Sequence, residues 1–185
     1  FSQVSLSTSV RGKNTFPLMG QQAGAAIYYD SGDAEVVKRA AGFLAHDIGL
    51  VTGKKPDALP LPAGVPAGNA VVIGTIGQNA LIDGLIAKGK LNVDAIRGGW
   101  EQYAVELLER PVAGVPKMLV IAGSDRRGTA YGVFHVSEAI GVDAWYWFAD
   151  MPVRKRETLA LSVESFRSKT PSVKYRGLFI NDEDW

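Results

Sequence analysis

The sequence predicts an α/β (α+β) fold, a mixed β-sheet with helices packed on it, and three observations carry that prediction. Residues 70–74 (AVVIG) and 118–122 (MLVIA) are short and wholly apolar, the pattern of strands covered on both faces. Other stretches place apolar residues at helical spacing. Strand and helix patterns then alternate in the order β-α-β-α-β-β-α-β along the 185 residues, with no internal repeat.

Composition narrows the function classes. Hydrophobic residues make up 46% and charged residues 21%, the balance of a folded globular chain. A formal net charge of +1 gives no electrostatic reason to expect nucleic acid or a membrane surface as partner. No apolar run approaches the roughly 20 residues that cross a bilayer. Cysteine is absent, which excludes thiol chemistry, disulfides and Cys-ligated metals within these residues. The opening FSQVSLSTSV has no Met and no basic-then-apolar layout, so removal of a leading segment is expected.

In chain order, residues 1–13 suggest a short edge strand and residues 14–19 a loop. Residues 25–29 (AAIYY) form the first clear strand, and Asp30-Ser31-Gly32-Asp33 offers turn and N-cap chemistry. Residues 34–51 carry Val36, Val37, Ala40, Phe43, Leu44, Ile48 and Val51 on one helical face, ended by Gly53. Residues 54–69, rich in Pro, Gly and Ala, read only as a connection. A second helix is expected over 78–90. Strands at 103–108 and 118–122 are joined through two prolines and a glycine as a hairpin. Ser124-Asp125 cap a third helix over 126–140. The four aromatics Trp145-Tyr146-Trp147-Phe148 hold too much apolar surface to stay wet, since full burial of one contributes roughly 1.5–3 kcal/mol. They are expected to form a joint, within the domain or against a neighbour. A strand near 158–163 follows, and a last, buried one over 173–180.

Two glycine-bearing turns follow strands and lead into helices, at 74–79 and 122–128, where phosphates often bind. Neither matches a dinucleotide or P-loop pattern, so nucleotide binding is disfavoured. His46 is expected as a surface or partly buried residue, and with His135 the only other histidine no His-rich metal site can be assembled. The third helix is more informative. At about 100° per residue, Arg127, Tyr131, His135 and Glu138 fall on one stripe, opposite Val133, Val136 and Ile140. That stripe is either a solvent face or a surface turned to a second domain and suited to hydrogen-bonding a polar ligand. Gly128 and Gly132, one turn apart, permit close backbone approach on the neighbouring face.

Asn181, Asp182, Glu183 and Asp184 end the chain's last apolar run. They are either a charged loop or the rim of a site. If residues 175–180 are the first strand of a (β/α)8 barrel, these acids stand at its C-terminal mouth, where such barrels place their chemistry. Neighbours on a strand alternate faces, so Asp182 and Glu183 do not form a catalytic carboxylate pair by themselves.

The segments RGTAYG (127–132), SEAIGV (137–142), WYW (145–147) and SVKYRGLFINDEDW (172–185) together resemble glycoside hydrolase family 115, the xylan α-1,2-glucuronidases. The set covers about the last 60 residues, and the upstream part agrees more loosely. The resemblance implies a hexosaminidase-like N-terminal α/β domain over 1–170, followed from 171–185 by the start of a catalytic barrel. It implies release of glucuronic acid or its 4-O-methyl ether from glucuronoxylan or aldouronic acids, with inversion, without metal or cofactor, by carboxylates beyond residue 185. Glu138 and Asp182 carry over by motif as substrate-binding residues, with Asn181 and Glu183 as further possible contacts. Acids contacting an anionic sugar must take its hydroxyls, so a cationic partner is expected from the barrel. The isolated chain is expected to be inactive. Export to the periplasm or beyond and a homodimer are also implied; the main alternative is a non-catalytic carbohydrate-binding or interaction module.

Overall fold

The computed structural model describes residues 4–9, 12–61 and 67–177. Its elements in chain order are β1 (Val4–Leu6), β2 (Thr15–Met19), β3 (Ala26–Tyr29), α1 (Glu35–Thr52), β4 (Ala58–Pro60), β5 (Ala70–Thr75) and α2 (Ala80–Ala87). There follow β6 (Tyr103–Glu109), β7 (Lys117–Gly123), α3 (Arg126–Ala139), α4 (Ala144–Phe148), β8 (Leu159–Val163) and β9 (Phe166–Arg167).

The apolar runs sit where their composition demands. β5 and β7 pair in parallel inside a six-stranded sheet of order β4-β3-β5-β7-β6-β9. The β4, β3, β5 and β7 strands are parallel, whereas β6 runs antiparallel to β7 on one side and to β9 on the other, so the sheet is mixed as predicted. Strand alternation sends Val71 and Ile73 to the side of α1 and α3, and Val72 to the side of α2. Both faces are thus covered, and every residue of β5 is buried.

α1 is predicted almost to the residue. It buries Val37, Ala40, Leu44, Ile48 and Val51, leaves Val36 and Phe43 exposed, and closes on Gly53 at a left-handed φ of 72°. Asp33 serves two neighbours rather than capping α1 in the usual way. Its carboxylate accepts the amides of Ala34 and, from the adjacent strand, Thr75.

Four expectations are corrected. Residues 14–19 are not a loop, because β2 pairs with β8 and buries Phe16 and Leu18 completely. Pro17 lacks an N–H, and β2 accommodates it by lying at a sheet edge with a register shift between Pro17 and Met19. Residues 54–69 are more than a connection: 58–60 add the edge strand β4 beside β3, with Pro60 on the outermost strand. The strand at 159–163 belongs to a second, antiparallel sheet of order β1-β8-β2, whose inner side chains join α1 and α3 in one core. Lastly, residues 173–177 lie in no strand, and Val173 and Tyr175 are exposed. A strand needs a neighbour for its amides and carbonyls, and no described strand runs alongside them. The rest of that expected strand, 178–180, lies outside the described residues.

α1 and α3 are therefore held between two sheets, and one edge of α3 is left uncovered. On that side α4 is short and its side chains stand out from the core, with Trp145, Trp147 and Phe148 all more than half exposed. The aromatics are not an internal joint of the described residues; only Tyr146 packs against the core.

Candidate functional site

The uncovered edge of α3 is set by its N-terminus. Asp125 caps the helix, its Oδ1 accepting the amides of Arg127 (3.0 Å) and Gly128 (2.8 Å), while its Oδ2 accepts that of Glu101 (2.7 Å). One carboxylate thus ties the loop before β6 to the start of α3. Gly128 allows the contact: a Cβ there would stand 2.2 Å from the Gln102 carbonyl oxygen. The close approach expected of Gly128 and Gly132 is present at both, since a Cβ on Gly132 would meet Ile121 at 2.8 Å.

Val133, Val136 and Ile140 are buried, as the helical stripe predicts. On the other side Tyr131, His135 and Glu138 line a cavity of about 990 Å³, together with Trp145, Trp147 and Phe148. Glu138 is exposed at this cavity, and Arg127 stands exposed one turn before Tyr131. Three of the four stripe residues thus border a hollow that opens to solvent, and Arg127 does not.

Beneath Tyr131 lies an ionic cluster that periodicity could not reveal. The Glu101 side chain is 1% exposed, and its backbone holds the left-handed φ of 50°, uncommon for a residue with a Cβ. Its Oε1 lies 2.9 Å from Arg127 Nε, a charge contact without hydrogen-bond alignment, and its Oε2 accepts from Arg176 Nη2. The Arg176 guanidinium also lies 5.7 Å from the Trp100 ring centre and 5.4 Å from that of Tyr131. Arg127 Nη2 donates to the Tyr131 hydroxyl at 3.2 Å. That bond holds the Tyr131 phenol below its ordinary pKa, and both guanidinium groups are pushed further up.

His135 packs edge-on to Phe166 at 4.5 Å and to Tyr103 at 5.8 Å. Burial lowers its pKa, with Glu138 opposing the shift, so it is a neutral imidazole at pH 7. Asp47 faces the same cavity from α1, while its neighbour His46 is turned to solvent. Burial raises the Asp47 pKa above its ordinary 3.8, with Ser137 and His46 pulling it partly back. Such a carboxyl binds its proton more tightly folded than unfolded, so folding loses stability as pH rises from about 3.8 through the raised value. Asp47→Asn is therefore expected to raise the melting temperature near pH 7, with no gain well below pH 3.8; thermal scans at two pH values check it.

Neither glycine-bearing turn offers its amides to an anion. Asp33, Asp30 and Asp83 accept those of Thr75, Ala80 and Gly77 around the start of α2, and the Asn79 side chain accepts that of Ile82. Asp125 does the same at α3. Three carboxylates around the start of α2 repel phosphate where open amides would bind it. Among the described residues, no group of three or more His, Cys, Asp or Glu could hold a metal ion.

Of the residues singled out by sequence, Glu138 is at the cavity, and Asn181, Asp182 and Glu183 lie outside the described residues. Glu101, Arg176, Asp47 and Tyr103 line the cavity without having been singled out. Asp47 had a usable signal, an acid within the buried stripe of α1. Glu101 had none, standing in an aperiodic loop 75 residues from Arg176.

No family model matches the sequence, and no curated protein matches it. Among solved structures, a novel family GH115 4-O-methyl-alpha-glucuronidase with specificity for decorated arabinogalactans aligns over 92% of the chain, at 31% identity and a TM-score of 0.69. The chain spans 20% of the length of that protein. A GH20 beta-N-acetylhexosaminidase from Streptomyces coelicolor A3(2) aligns over 92% of the chain and 25% of its own length, at 13% identity and a TM-score of 0.49. The structure CpGH84D covers 88% of the chain and 22% of its own length, at 9% identity and a TM-score of 0.42.

Proposed function

This chain is related to glycoside hydrolase family 115, and from that premise we infer that it is the N-terminal part of an α-glucuronidase acting on a decorated polysaccharide. The reaction is hydrolysis of the α-linkage to glucuronic acid or 4-O-methylglucuronic acid, with inversion. Its acid and base are carboxylates of a (β/α)8 barrel that begins within residues 171–185 and continues beyond them. Inversion needs those two groups about 6.5–9.5 Å apart, with a water between one of them and the sugar. This chain contributes Glu138 and Asp182, with Asn181 and Glu183 beside them, as acceptors for sugar hydroxyls. No metal or cofactor takes part. The enzyme is exported and works as a homodimer, both on the strength of the family alone.

One observation carries the reading: Glu138 lies at a 990 Å³ hollow ringed by aromatic side chains, in a chain that aligns along nearly all its length with a glucuronidase. Carboxylates hydrogen-bond sugar hydroxyls, and indole faces pack on the apolar faces of pyranose rings. The polysaccharide is glucuronoxylan by motif. The related structure acts on decorated arabinogalactans, so both are substrates to test.

The exposed Trp145 and Trp147 favour a second reading, a binding module with no part in catalysis. Titration of the isolated chain with aldouronic acids, followed by calorimetry, separates the two. An incomplete pocket is expected to give no measurable heat, whereas micromolar affinity favours the module.

A further inference from the structure

We propose that Arg176 receives the carboxylate of the bound uronic acid, so that the cation the site requires comes from this chain. The inference rests on the glucuronidase reading.

Glu138 and Arg176 both line the cavity, with Asp47, Glu101, Asp143 and Lys169 as its other charged side chains. Glu138 stands seven residues after Tyr131, about 10 Å further along the helix at 1.5 Å per residue. A uronate cannot set its own carboxylate against Glu138, whose place is on hydroxyls. At the Tyr131 end the balance reverses, because two guanidinium groups share the single carboxylate of Glu101. The trio carries a net positive charge. Its negative member is almost wholly buried, while the Arg127 and Arg176 side chains are 54% and 33% exposed. Of the two arginines it is Arg176 that lines the cavity, beside the buried Glu101.

Arg176 is also pre-organised. Glu101 fixes one end of its fork, the Val173 carbonyl accepts from Nη1 at 2.9 Å, and the guanidinium lies over the rings of Trp100 and Tyr131. A guanidinium already fixed in this way loses little freedom when it takes up a carboxylate, and its planar fork matches that group. The left-handed backbone of Glu101 and the Asp125 bond to its amide show how firmly the anchor itself is set.

The test uses the full-length enzyme, wild type and Arg176→Gln, titrated with D-glucuronic acid and with its neutral isostere D-glucuronamide. The wild type is expected to prefer the acid. Arg176→Gln is expected to weaken acid binding by about 10–100-fold, the worth of a charged hydrogen bond, and to leave amide binding unchanged. An arginine that merely braces residues 171–177 would weaken both ligands together, and that result overturns the proposal, as does an unchanged acid preference. If the variant fails to fold, a crystal structure of the wild type with glucuronic acid decides. The proposal requires a carboxylate oxygen within about 3.2 Å of an Arg176 nitrogen, and a carboxylate held elsewhere overturns it. A wild type that releases no uronic acid from any polysaccharide refutes the functional reading instead, a failure visible before any variant is made.

Discussion

Asp182→Ala in the full-length enzyme is expected to lower release of 4-O-methylglucuronic acid by about 10²–10³-fold, the usual loss when one positioned polar contact to the reacting sugar is removed. The companion variant Glu138→Gln keeps the size of the side chain and one acceptor oxygen, so a smaller loss of about tenfold is expected. The two substitutions test different links. Asp182 rests on the family motif and lies outside the described residues, whereas Glu138 is placed at the cavity by α3 itself. Initial rates on an aldouronic acid, with circular dichroism to confirm folding, measure both. Wild-type turnover in a folded Asp182→Ala enzyme would remove that residue from the site. Full activity in Glu138→Gln would return the stripe to a plain solvent face.

The largest effect on stability is expected at Gly128. Its added Cβ would lie 2.2 Å from the Gln102 carbonyl oxygen and about 3 Å from the carbon and nitrogen of the same residue. These are backbone atoms, which cannot swing aside as a flexible side chain can. Either α3 moves away from β6 or the loop carrying Glu101 is displaced, and the Asp125 bonds joining them are lost in both cases. Gly128→Ala is expected to destabilise the chain by about 3 kcal/mol or more. Gly84 provides the control: it lies within α2 with nothing inside 4 Å of an added Cβ, so Gly84→Ala is expected to stabilise by about 0.5–1 kcal/mol. Urea unfolding of both variants checks the contrast, and opposite signs are required.

Much of this architecture was legible in the residues, for reasons that also explain what was not. α1, β5, the β6–β7 hairpin and α3 carry strong periodicity, because each buries one face or both and its composition must show it. β2, β4 and β9 hold five residues or fewer, and two of them contain proline, so turn chemistry masked the strand pattern. The division into two sheets depends on pairing partners, and a short alternating run such as 159–163 does not name its partner. The site divides the same way. The α3 stripe follows from helical geometry, so Tyr131, His135 and Glu138 were found together. The Glu101–Arg176 pair joins an aperiodic loop to a segment 75 residues away, and only the fold brings them into contact. The exposed aromatics of α4 show the opposite failure, since composition signalled burial that the described residues do not supply.

The glucuronidase reading is tested most directly by incubating the full-length protein with glucuronoxylan and with decorated arabinogalactan, and following the first minutes by proton NMR. Free glucuronic acid or 4-O-methylglucuronic acid is expected from at least one of the two, appearing first as the β-anomer, because inversion at an α-linkage produces that form. No uronic acid from either polysaccharide would contradict the assigned activity, and an α-anomer appearing first would contradict inversion.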